Sequence, residues 1–296
     1  MSFQVDTAMV QGYRANINIL SQQRGSRLRT HVRRETQNSK YEFFDRISAT
    51  AAVKNTTRHA DTPLISTPHD RRRVGLVDYD WADLIDKQDR IRMLADPAGS
   101  YTVNAVNAMG RAIDTEIITA ATATAYSGED GSTAVTFATE GNEVAVDFVE
   151  TGAAVNSNLT IGKLREARSI LGRNEAMEDG EPLVAVVSQR QIDALLRTTE
   201  VTSSDYAVVK ALVAGDVNTF MGFQFVRTEL LTVASSIRDC LFYAQNGILL
   251  STALEIMVDV GPRRDKRNSQ QVYVCGSFGA VRMEGAKVVR VKCDES

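Results

Sequence analysis

Histidine and cysteine, the side chains most often used for metal binding, catalysis and covalent bridges, are scarce in this sequence. There are three of each in 296 residues. Cys240, Cys275 and Cys293 are odd in number, widely spaced and without a CxxC pair. That pattern predicts the reduced, buried thiols of a cytosolic protein and argues against a disulfide-rich secreted scaffold.

Long apolar runs are missing too. No window reaches the length needed to cross a bilayer, and the N-terminus has no basic segment followed by an apolar one. The sequence therefore predicts neither a membrane-spanning protein nor one exported by a standard signal. No repeat of fixed period is present, which argues against solenoids and propellers.

The common enzyme motifs are also missing. The chain contains no GxGxxG, GxxxxGK[ST], HExxH or GxSxG pattern. His59, Asp61, His69 and Asp70 form the best candidate for a metal cluster, but they bracket two prolines in a segment with little to hold it rigid. Solvated loop residues are therefore the better interpretation, and we expect neither a cofactor nor a catalytic site.

An excess of positive charge is absent as well. Charged residues make up 24% of the chain and the formal net charge is -3. This excludes a protein that binds nucleic acid through its overall charge, so contact with DNA would have to use local clusters of Lys and Arg. Apolar residues make up 43%, which is enough for a sizeable core in one large domain or two of ordinary size.

A long amphipathic helix is predicted over Asp96–Tyr126, where apolar residues recur at steps of three and four, namely Val106, Met109, Ile113, Ile117 and Ala120. Such a helix would span roughly 40 Å. Its polar positions fall largely on the opposite surface, namely Asn104, Asn107, Arg111, Asp114 and Thr122. This stretch alone also fits the core helix of an ordinary enzyme. The segments before and after the helix must therefore decide between the two interpretations.

The chain before this helix has two distinctive segments. Residues 6–23 read as a short amphipathic helix, followed by the basic run Arg24–Arg34. These form either a helix packed on its own domain with a solvated charge run, or an arm that docks on acidic neighbours or DNA. Residues 41–89 then predict an extended two-stranded hairpin with its tip near Thr57–Thr67 and little apolar surface to bury. A hairpin of this kind is marginal alone, so we expect a partner outside its own domain to hold it, although a disordered loop is the alternative.

The remainder of the chain alternates helix and strand and then becomes mostly strand. A hairpin with its turn at Glu140–Asn142 follows the long helix, and residues 159–230 predict a compact α/β subdomain. That subdomain contains a helix from Thr160 to Gly172, the buried strand PLVAVVS and a helix capped by Ser188 and Gln191. A further helix, YAVVKALVAG, precedes the strands of the last third.

This order of parts resembles the major capsid proteins of tailed bacteriophages with the HK97 fold. The text IDKQDRIRMLADPAGSYTVNAVNAMGRAIDTEIITA is similar to the family's spine-helix segment, with Arg111 and Asp114 in its R-x-x-D pattern. VNTFMGFQFVRTELL is similar to a late strand of the family's A domain, and residues 241–293 are similar to its closing region. The resemblance covers nearly the whole chain and rests on the order of loose motifs.

The resemblance implies an α+β, HK97-like capsid fold with five regions. These are an N-terminal arm (1–45), an extended hairpin or E-loop (46–90), the spine helix with part of the peripheral P domain (91–158), the axial A domain (159–250) and the closing β region of the P domain (251–296). The arm is too short for a fused scaffold, so a separate scaffolding protein is expected. Cross-linking of neighbours through Lys54 and Asn268 cannot be matched to the family motif and is not expected.

The function implied is a non-enzymatic shell protein of the virion, assembled in the host cytoplasm into hexamers and pentamers around double-stranded DNA. Implied partners are further copies of the chain, a portal protein at one vertex, a decoration protein and the packaged DNA, with no membrane. Implied intersubunit contacts are charged residues of the arm, the hairpin and the acidic segment, namely Arg24, Arg27, Arg33, Arg34, Lys54, Arg58, Arg71, Arg72, Arg73, Asp83, Asp86 and Asp89.

We predict that changing Arg71–Arg73 together to Ala leaves the fold intact and weakens assembly. The alternatives are an encapsulin shell and a cytosolic α/β enzyme with a dimerisation arm.

Overall fold

The structure is a computed structural model that describes residues 20–58, 61–86, 98–177, 180–197 and 219–296. Its contacts divide the chain into two units. The first unit comprises the described parts of Met1–Ser26, Asp78–Arg111 and Leu254–Ser277, and the second comprises those of Arg27–Val77, Ala112–Ala253 and Phe278–Ser296. Among the described residues, no helix has both the length and the hydropathy needed to cross a membrane.

A seven-stranded mixed sheet forms the centre of the second unit. Six strands lie in the order β7-β15-β12-β8-β10-β9, and β11 pairs with β12. Their bounds are β7 Asn142–Val144, β8 Leu183–Val187, β9 Thr219–Phe220, β10 Phe223–Arg227, β11 Val233–Ala234, β12 Ile237–Ala244 and β15 Val288–Asp294. All five residues of β8 are buried, and β8 is a central strand, paired with parallel β10 on one side and antiparallel β12 on the other. The strand predicted at PLVAVVS is thereby confirmed.

Two helices of the second unit begin where the sequence predicts. Helix α3 spans Ile161–Arg173, and the Thr160 side chain accepts a hydrogen bond from the backbone N–H of Lys163 at its start. Helix α4 spans Gln189–Leu196 and opens with the predicted Ser188 capping box. The further helix predicted in YAVVKALVAG lies outside the described residues.

A second sheet of this unit contains the base of the predicted long hairpin. Its order is β2-β3-β5-β6, with bounds β2 Tyr41–Ile47, β3 His69–Gly75, β5 Ala125–Ser127 and β6 Thr133–Val135. The antiparallel pairing of β2 with β3 over seven residues confirms the hairpin. Between these strands, residues 48–58 and 61–68 contain no strand. Buried Val74, Ala125, Leu249, Val281 and Met283 form an apolar cluster in this unit.

The hairpin predicted after the long helix has its turn in a different place. The chain reverses between β5 and β6, where Gly128 and Gly131 have φ of 93° and 60°. Phe137–Glu140 instead form a short helix, α2, and Gly141 is extended with φ of -85°. The prediction was wrong because two glycines supply the left-handed backbone the turn needs, whereas the Glu140–Asn142 triplet lacks it.

Helix α1 spans Ala98–Thr122 over 25 residues. The helix was predicted to continue to Tyr126 but ends at Thr122, because residues 125–127 pair as strand β5 with β3. In the first unit Met109 is buried and Val106 is half-buried, and in the second unit Ile113 and Ile117 are buried, so the predicted apolar stripe is present. The predicted helix start at Asp96 lies outside the described residues.

Three long strands are β4 Val77–Ile85, β13 Ile248–Arg263 and β14 Ser269–Arg282, in the sheet order β13-β14-β4. The first unit holds residues 78–85 of β4, 254–263 of β13 and 269–277 of β14. Residues 264–268 form the turn predicted between β13 and β14. In the second unit, β1 (Arg33–Thr36) runs parallel to the first part of β13, pairing with Leu249–Thr252.

Candidate assembly surfaces

Residues 22–26 of the first unit, here called the strap, lie along α1. The backbone N–H of Gly25 donates to Asn107 Oδ1 at 3.1 Å. Arg111 Nη1 donates to Gln22 Oε1 at 2.7 Å. Asn107 is 7% exposed, so the expectation that it faces solvent was wrong. The amide is buried because it replaces water as the partner of a strap N–H.

Gly110 allows the strap to approach the helix. A Cβ built at Gly110 would lie 2.4 Å from the carbonyl carbon of Gly25, whereas one at Gly99 of the same helix meets nothing within 4 Å. Ala is the better helix former, so Gly99→Ala is expected to leave the protein as stable or more stable, by up to about 1 kcal/mol.

Gly110→Ala is expected to destabilise the protein by about 1–3 kcal/mol and to release the strap, because a methyl group cannot share its space with backbone. Limited proteolysis measures the release through cleavage near Arg24. Equal cleavage rates for the two alanine variants would contradict this close approach.

In the second unit, Asp114 holds the chain that follows the strap. Its carboxylate accepts the backbone N–H groups of Arg27 at 2.9 Å and Leu28 at 3.1 Å. Asp114 is fully buried, so its expected exposure was wrong. The Arg27 guanidinium donates to the backbone carbonyl of Arg227 at 2.6 Å and therefore has a partner in its own chain.

A group of paired charges, half-buried except for fully buried Arg72, lies at the base of the hairpin. Arg46 bridges two carboxylates, with Nη2 at 2.5 Å from Asp70 Oδ2 and Nη1 at 3.1 Å from Glu140 Oε1. The Arg72 side chain is fully buried and also pairs with Glu140. Burial lowers the pKa of Arg72, although Glu140 opposes this effect. The arrangement fixes both strands of the hairpin to helix α2.

This environment corrects the expectation for Arg72. A side chain with no exposed surface and its charge paired inside the subunit is not available to a neighbouring subunit. Arg71 is exposed and pairs with Asp45 at 2.8 Å, and Arg73 is half-buried. Alternation along β3 explains the difference, because successive side chains point to opposite faces of a sheet.

Asp70 makes the hairpin base sensitive to acid. Burial would raise the pKa of its carboxyl, but hydrogen bonds from Ser127 and Arg46 outweigh burial and hold the pKa well below its usual range. A carboxylate with a lowered folded-state pKa stabilises the protein above its unfolded-state pKa, and this contribution falls as pH decreases toward the folded-state value.

We therefore expect the midpoint of urea unfolding to fall from about pH 5 downward. Asp70→Asn removes the ionisable group and should flatten that decline while lowering stability at pH 7. An unchanged slope in the variant would contradict the assignment.

The other face of the hairpin sheet is exposed and combines rings with cations. Register places Phe43 opposite Arg73 and Arg73 opposite Tyr126. The Arg73 guanidinium lies 5.0 Å from the Tyr41 ring centroid and 4.6 Å from that of Tyr126. We call this the aromatic–arginine face; its members are Lys40, Tyr41, Phe43, Asp45, Ile47, Arg71, Arg73 and Tyr126.

A second exposed surface belongs to the first unit. Residues 254–260 of β13, here called the acidic–apolar strand, expose apolar side chains by 40–51%, namely Leu254, Met257, Val258 and Val260. Glu255 and Asp259 on the same segment are also exposed. Contiguous exposed apolar surface of this kind marks an interaction site more often than a solvated strand.

The remaining predicted contact residues are dispersed. Those with exposed side chains are Arg24, Arg33, Arg34, Lys54, Arg58 and Asp86. Arg33 pairs with Glu35 at 2.8 Å, and the Asp86 carboxylate accepts the Ser269 hydroxyl. Half-buried Asp83 accepts the backbone N–H of Leu84 at 2.8 Å. Asp89 lies outside the described residues.

The sequence offered His59, Asp61, His69 and Asp70 as a candidate metal cluster. In the part of the chain that the structure describes, no group of three or more His, Cys, Asp and Glu side chains could hold a metal ion. Asp70 is bound to Arg46 and Ser127 instead. His59 lies outside the described residues.

Lys163 is an important residue that no sequence pattern singles out. Its side chain is fully buried in the second unit, and its Nζ donates to the backbone carbonyls of Val146 at 2.8 Å, Ser157 at 2.6 Å and Lys292 at 2.9 Å. Burial lowers the pKa of this ammonium group. One side chain thus holds three separate segments together.

A comparison with protein families identifies the family to which this fold belongs. A family model described as phage capsid protein matches residues 5–295. The chain belongs to the phage capsid protein family. This capsid protein is accordingly a structural protein of the phage head shell, and its place is the virion. A comparison with curated proteins gave no match.

Solved structures give the same fold. The chain is similar to the capsid protein of cyanophage P-SCSP1u, with a TM-score of 0.72, 12% identity, and coverage of 100% of this chain and 96% of that one. A protein from the capsid of a native GTA particle gives a TM-score of 0.72, 13% identity and 99% coverage of both chains. The capsid protein of Helicobacter pylori bacteriophage KHP30 gives a TM-score of 0.70, 10% identity, and coverage of 100% and 98%. At such identities the likeness establishes the fold of this capsid protein.

Proposed function

We propose that the protein is the major capsid subunit of an HK97-type shell, in which copies assemble into hexamers and pentamers of an icosahedron around double-stranded DNA. The observation that carries this proposal is a hairpin fixed at its base by ion pairs, with exposed apolar residues beyond that base. Past Ile47 the described residues between β2 and β3 expose apolar side chains, with Leu64 at 98% and Ile65 at 48%. An apolar segment of this kind needs a surface to cover it.

The hairpin is the proposed E-loop, lying across a neighbouring subunit. Exposed Lys54 and Arg58 are available for contacts at the distal end. Exposed Arg71, already paired with Asp45, and half-buried Arg73 lie at the base. Each exposed ion pair contributes at most about 1 kcal/mol, but the same contact recurs at every interface of a shell. Identical chains that meet head to tail form rings when the rotation between copies closes.

The arm is proposed to contact neighbours or the interior of the shell. Arg24, Arg33 and Arg34 present charge at the surface, whereas Arg27 is bound to its own chain. The five regions predicted from the sequence, with the α/β subdomain as the A domain, belong to this proposal. The proposal also includes a non-enzymatic role and assembly in the host cytoplasm. Its further partners are a scaffolding protein, a portal, a decoration protein and the packaged DNA.

Electron microscopy of the chain expressed alone and with its neighbouring genes tests the proposal, together with sedimentation at low and high salt. Closed shells, tubes or isolated hexamers are the expected products. DNA inside shells supports the phage assignment, while shells around a cargo enzyme would replace it with an encapsulin. A discrete dimer or tetramer under every condition would contradict shell assembly.

A further inference from the structure

We propose that Lys287 and Asn246 become joined by an amide bond within one chain, with Glu181 as the group that moves the protons. The three side chains lie together in the second unit and come from separate segments. Glu181 precedes β8, Asn246 lies in the turn between β12 and β13, and Lys287 lies in the turn between β14 and β15. The inference concerns a single subunit, so it goes beyond shell assembly and does not depend on it.

One carboxylate oxygen holds both reacting groups. Lys287 Nζ donates to Glu181 Oε1 at 2.9 Å, and Asn246 Nδ2 donates to the same oxygen at 2.8 Å. Two donors that share one acceptor at these distances are about 4–6 Å apart. The backbone N–H of Asn246 also donates to Glu181 Oε2 at 3.1 Å, which fixes the carboxylate relative to the asparagine. Attack requires the amine about 3–3.5 Å from the carbonyl carbon, and the flexible Lys287 side chain can cover the remaining gap.

Backbone contacts hold the two turns against each other. A Cβ built at Gly247 would lie 3.0 Å from Lys287 Cβ and 3.2 Å from the Lys287 carbonyl oxygen, so glycine permits this close approach. The Gly247 carbonyl accepts the N–H of Met283 at 2.9 Å, and the N–H of Gln245 donates to the Pro182 carbonyl at 3.2 Å. The three segments are therefore positioned by their backbones, and the reacting side chains stay close together.

The surroundings of the three side chains suit the transfer of a proton. The Glu181 and Lys287 side chains are only 7% and 13% exposed, so water competes little for the two groups that exchange the proton. Burial would raise the pKa of Glu181, but hydrogen bonds from Lys287 and Asn246 outweigh it and hold the pKa below its usual range. Glu181 is therefore a carboxylate at the start, which is the form that accepts a proton. Glu284 also faces the amine, with Oε2 3.6 Å from Lys287 Nζ.

The proposed reaction needs no oxidant and no cofactor. Glu181 accepts a proton from the Lys287 ammonium group, and the resulting amine forms a bond from Nζ to Cγ of Asn246. The bond between Cγ and Nδ2 breaks as Glu181 gives that proton to the leaving nitrogen. The second proton lost by Nζ also leaves with this nitrogen, so the products are one secondary amide and one ammonium ion. Asn246 is exposed, which lets the ammonium ion escape into water.

The bond would close a covalent loop that contains β13 and β14. It joins position 246, before β13, to position 287, after β14. A covalent loop restricts the unfolded chain and thereby stabilises the folded one, as a disulfide does. Bonded protein should therefore unfold at a higher urea concentration than Lys287→Arg, which retains the charge but cannot form the amide. Because the pKa of Glu181 is low, the neutral amine is rare, and we expect the bond to form slowly after folding.

The mass of the intact full-length chain tests the bond directly. After incubation of purified protein at mildly alkaline pH, we expect a mass lower than the sequence mass by one ammonia. A protease digest should then contain one branched peptide that joins Lys287 to Asn246. Lys287→Arg and Glu181→Gln should both keep their full mass. The matched control is Lys292→Arg, which changes a lysine paired with Glu143 outside this cluster and should still lose ammonia.

Two results would overturn the inference. One is wild-type protein that keeps its full mass after prolonged incubation. The other is a loss of ammonia that persists in Lys287→Arg, because Asn246 can also lose ammonia by forming a cyclic imide with the backbone nitrogen of Gly247. Circular dichroism verifies that each variant folds. All of these measurements use unassembled subunits, so a failure to form shells would contradict the proposed function alone.

Discussion

Replacing Arg72 with alanine is expected to lower the free energy of unfolding by about 3–5 kcal/mol, because it deletes a fully buried side chain and breaks its ion pair with Glu140. Glu140 would lose one of its guanidinium partners at the hairpin base, and the vacated space would add a packing loss. The carbonyl of Met283 would lose a hydrogen bond from Arg72 Nε at 3.3 Å. A cost of this size is a large fraction of the stability of a typical domain.

Arg71→Ala is the matched control, since it removes the same side chain one position away. Arg71 is exposed and its pair with Asp45 is solvated, so the expected cost is at most about 1 kcal/mol. Urea unfolding of unassembled subunits gives both values. Equal costs for the two variants would show that the buried pair does not stabilise the hairpin base.

The contrast also corrects the expectation that Arg71–Arg73 can be changed together without harm to the fold. Arg72 carries the structural cost, while Arg71 and Arg73 belong to the exposed face. Assembly defects should therefore be assigned with variants of Arg71 and Arg73 that leave Arg72 intact.

Replacing Ile113 with aspartate is expected to abolish soluble, folded protein. Ile113 is 4% exposed in the second unit, and burial of an unpaired carboxylate adds several kcal/mol to the loss of apolar contacts. The total is comparable with the whole stability of a domain, which is about 5–15 kcal/mol.

Thr119→Asp on the same helix is the control. Thr119 is exposed, so the new charge stays in water and should cost less than about 1 kcal/mol. Soluble yield and far-UV circular dichroism compare the two variants. A folded, assembly-competent Ile113→Asp protein would contradict the orientation of the helix.

The elements of this fold could be predicted largely because their signals are local. The spacing of Met109, Ile113 and Ile117 indicated the long helix, and the apolar run at Leu183–Val187 indicated a central strand. Ser188 and Gln191 indicated a helix start through a pair of hydrogen bonds made within four residues.

The charged residues of the candidate surfaces could not be sorted in the same way. Sequence pattern predicts one common role for Arg71, Arg72 and Arg73, but alternation in β3 directs Arg72 inward to Glu140, a residue 68 positions away. Asp114 was placed at the surface because nothing near it in sequence signals the N–H groups of Arg27 and Leu28. Burial of a polar side chain depends on a distant partner, which helical periodicity does not report.

Two further features could have been predicted from the sequence. Pairing the hairpin in register places Arg46 opposite Asp70, which would have predicted their ion pair. The glycines at positions 128 and 131 could likewise have located the turn between β5 and β6.

The position of Lys163 has a consequence for how the protein responds to its solution environment. Three carbonyl oxygens that converge on one point make a cage that a dissolved cation could fill, with an occupancy set by the concentration of that ion. Here the cation is an ammonium group tethered to helix α3, so dilution cannot remove it and chelators have nothing to extract. This junction of three segments should therefore hold equally well in buffers rich or poor in divalent ions.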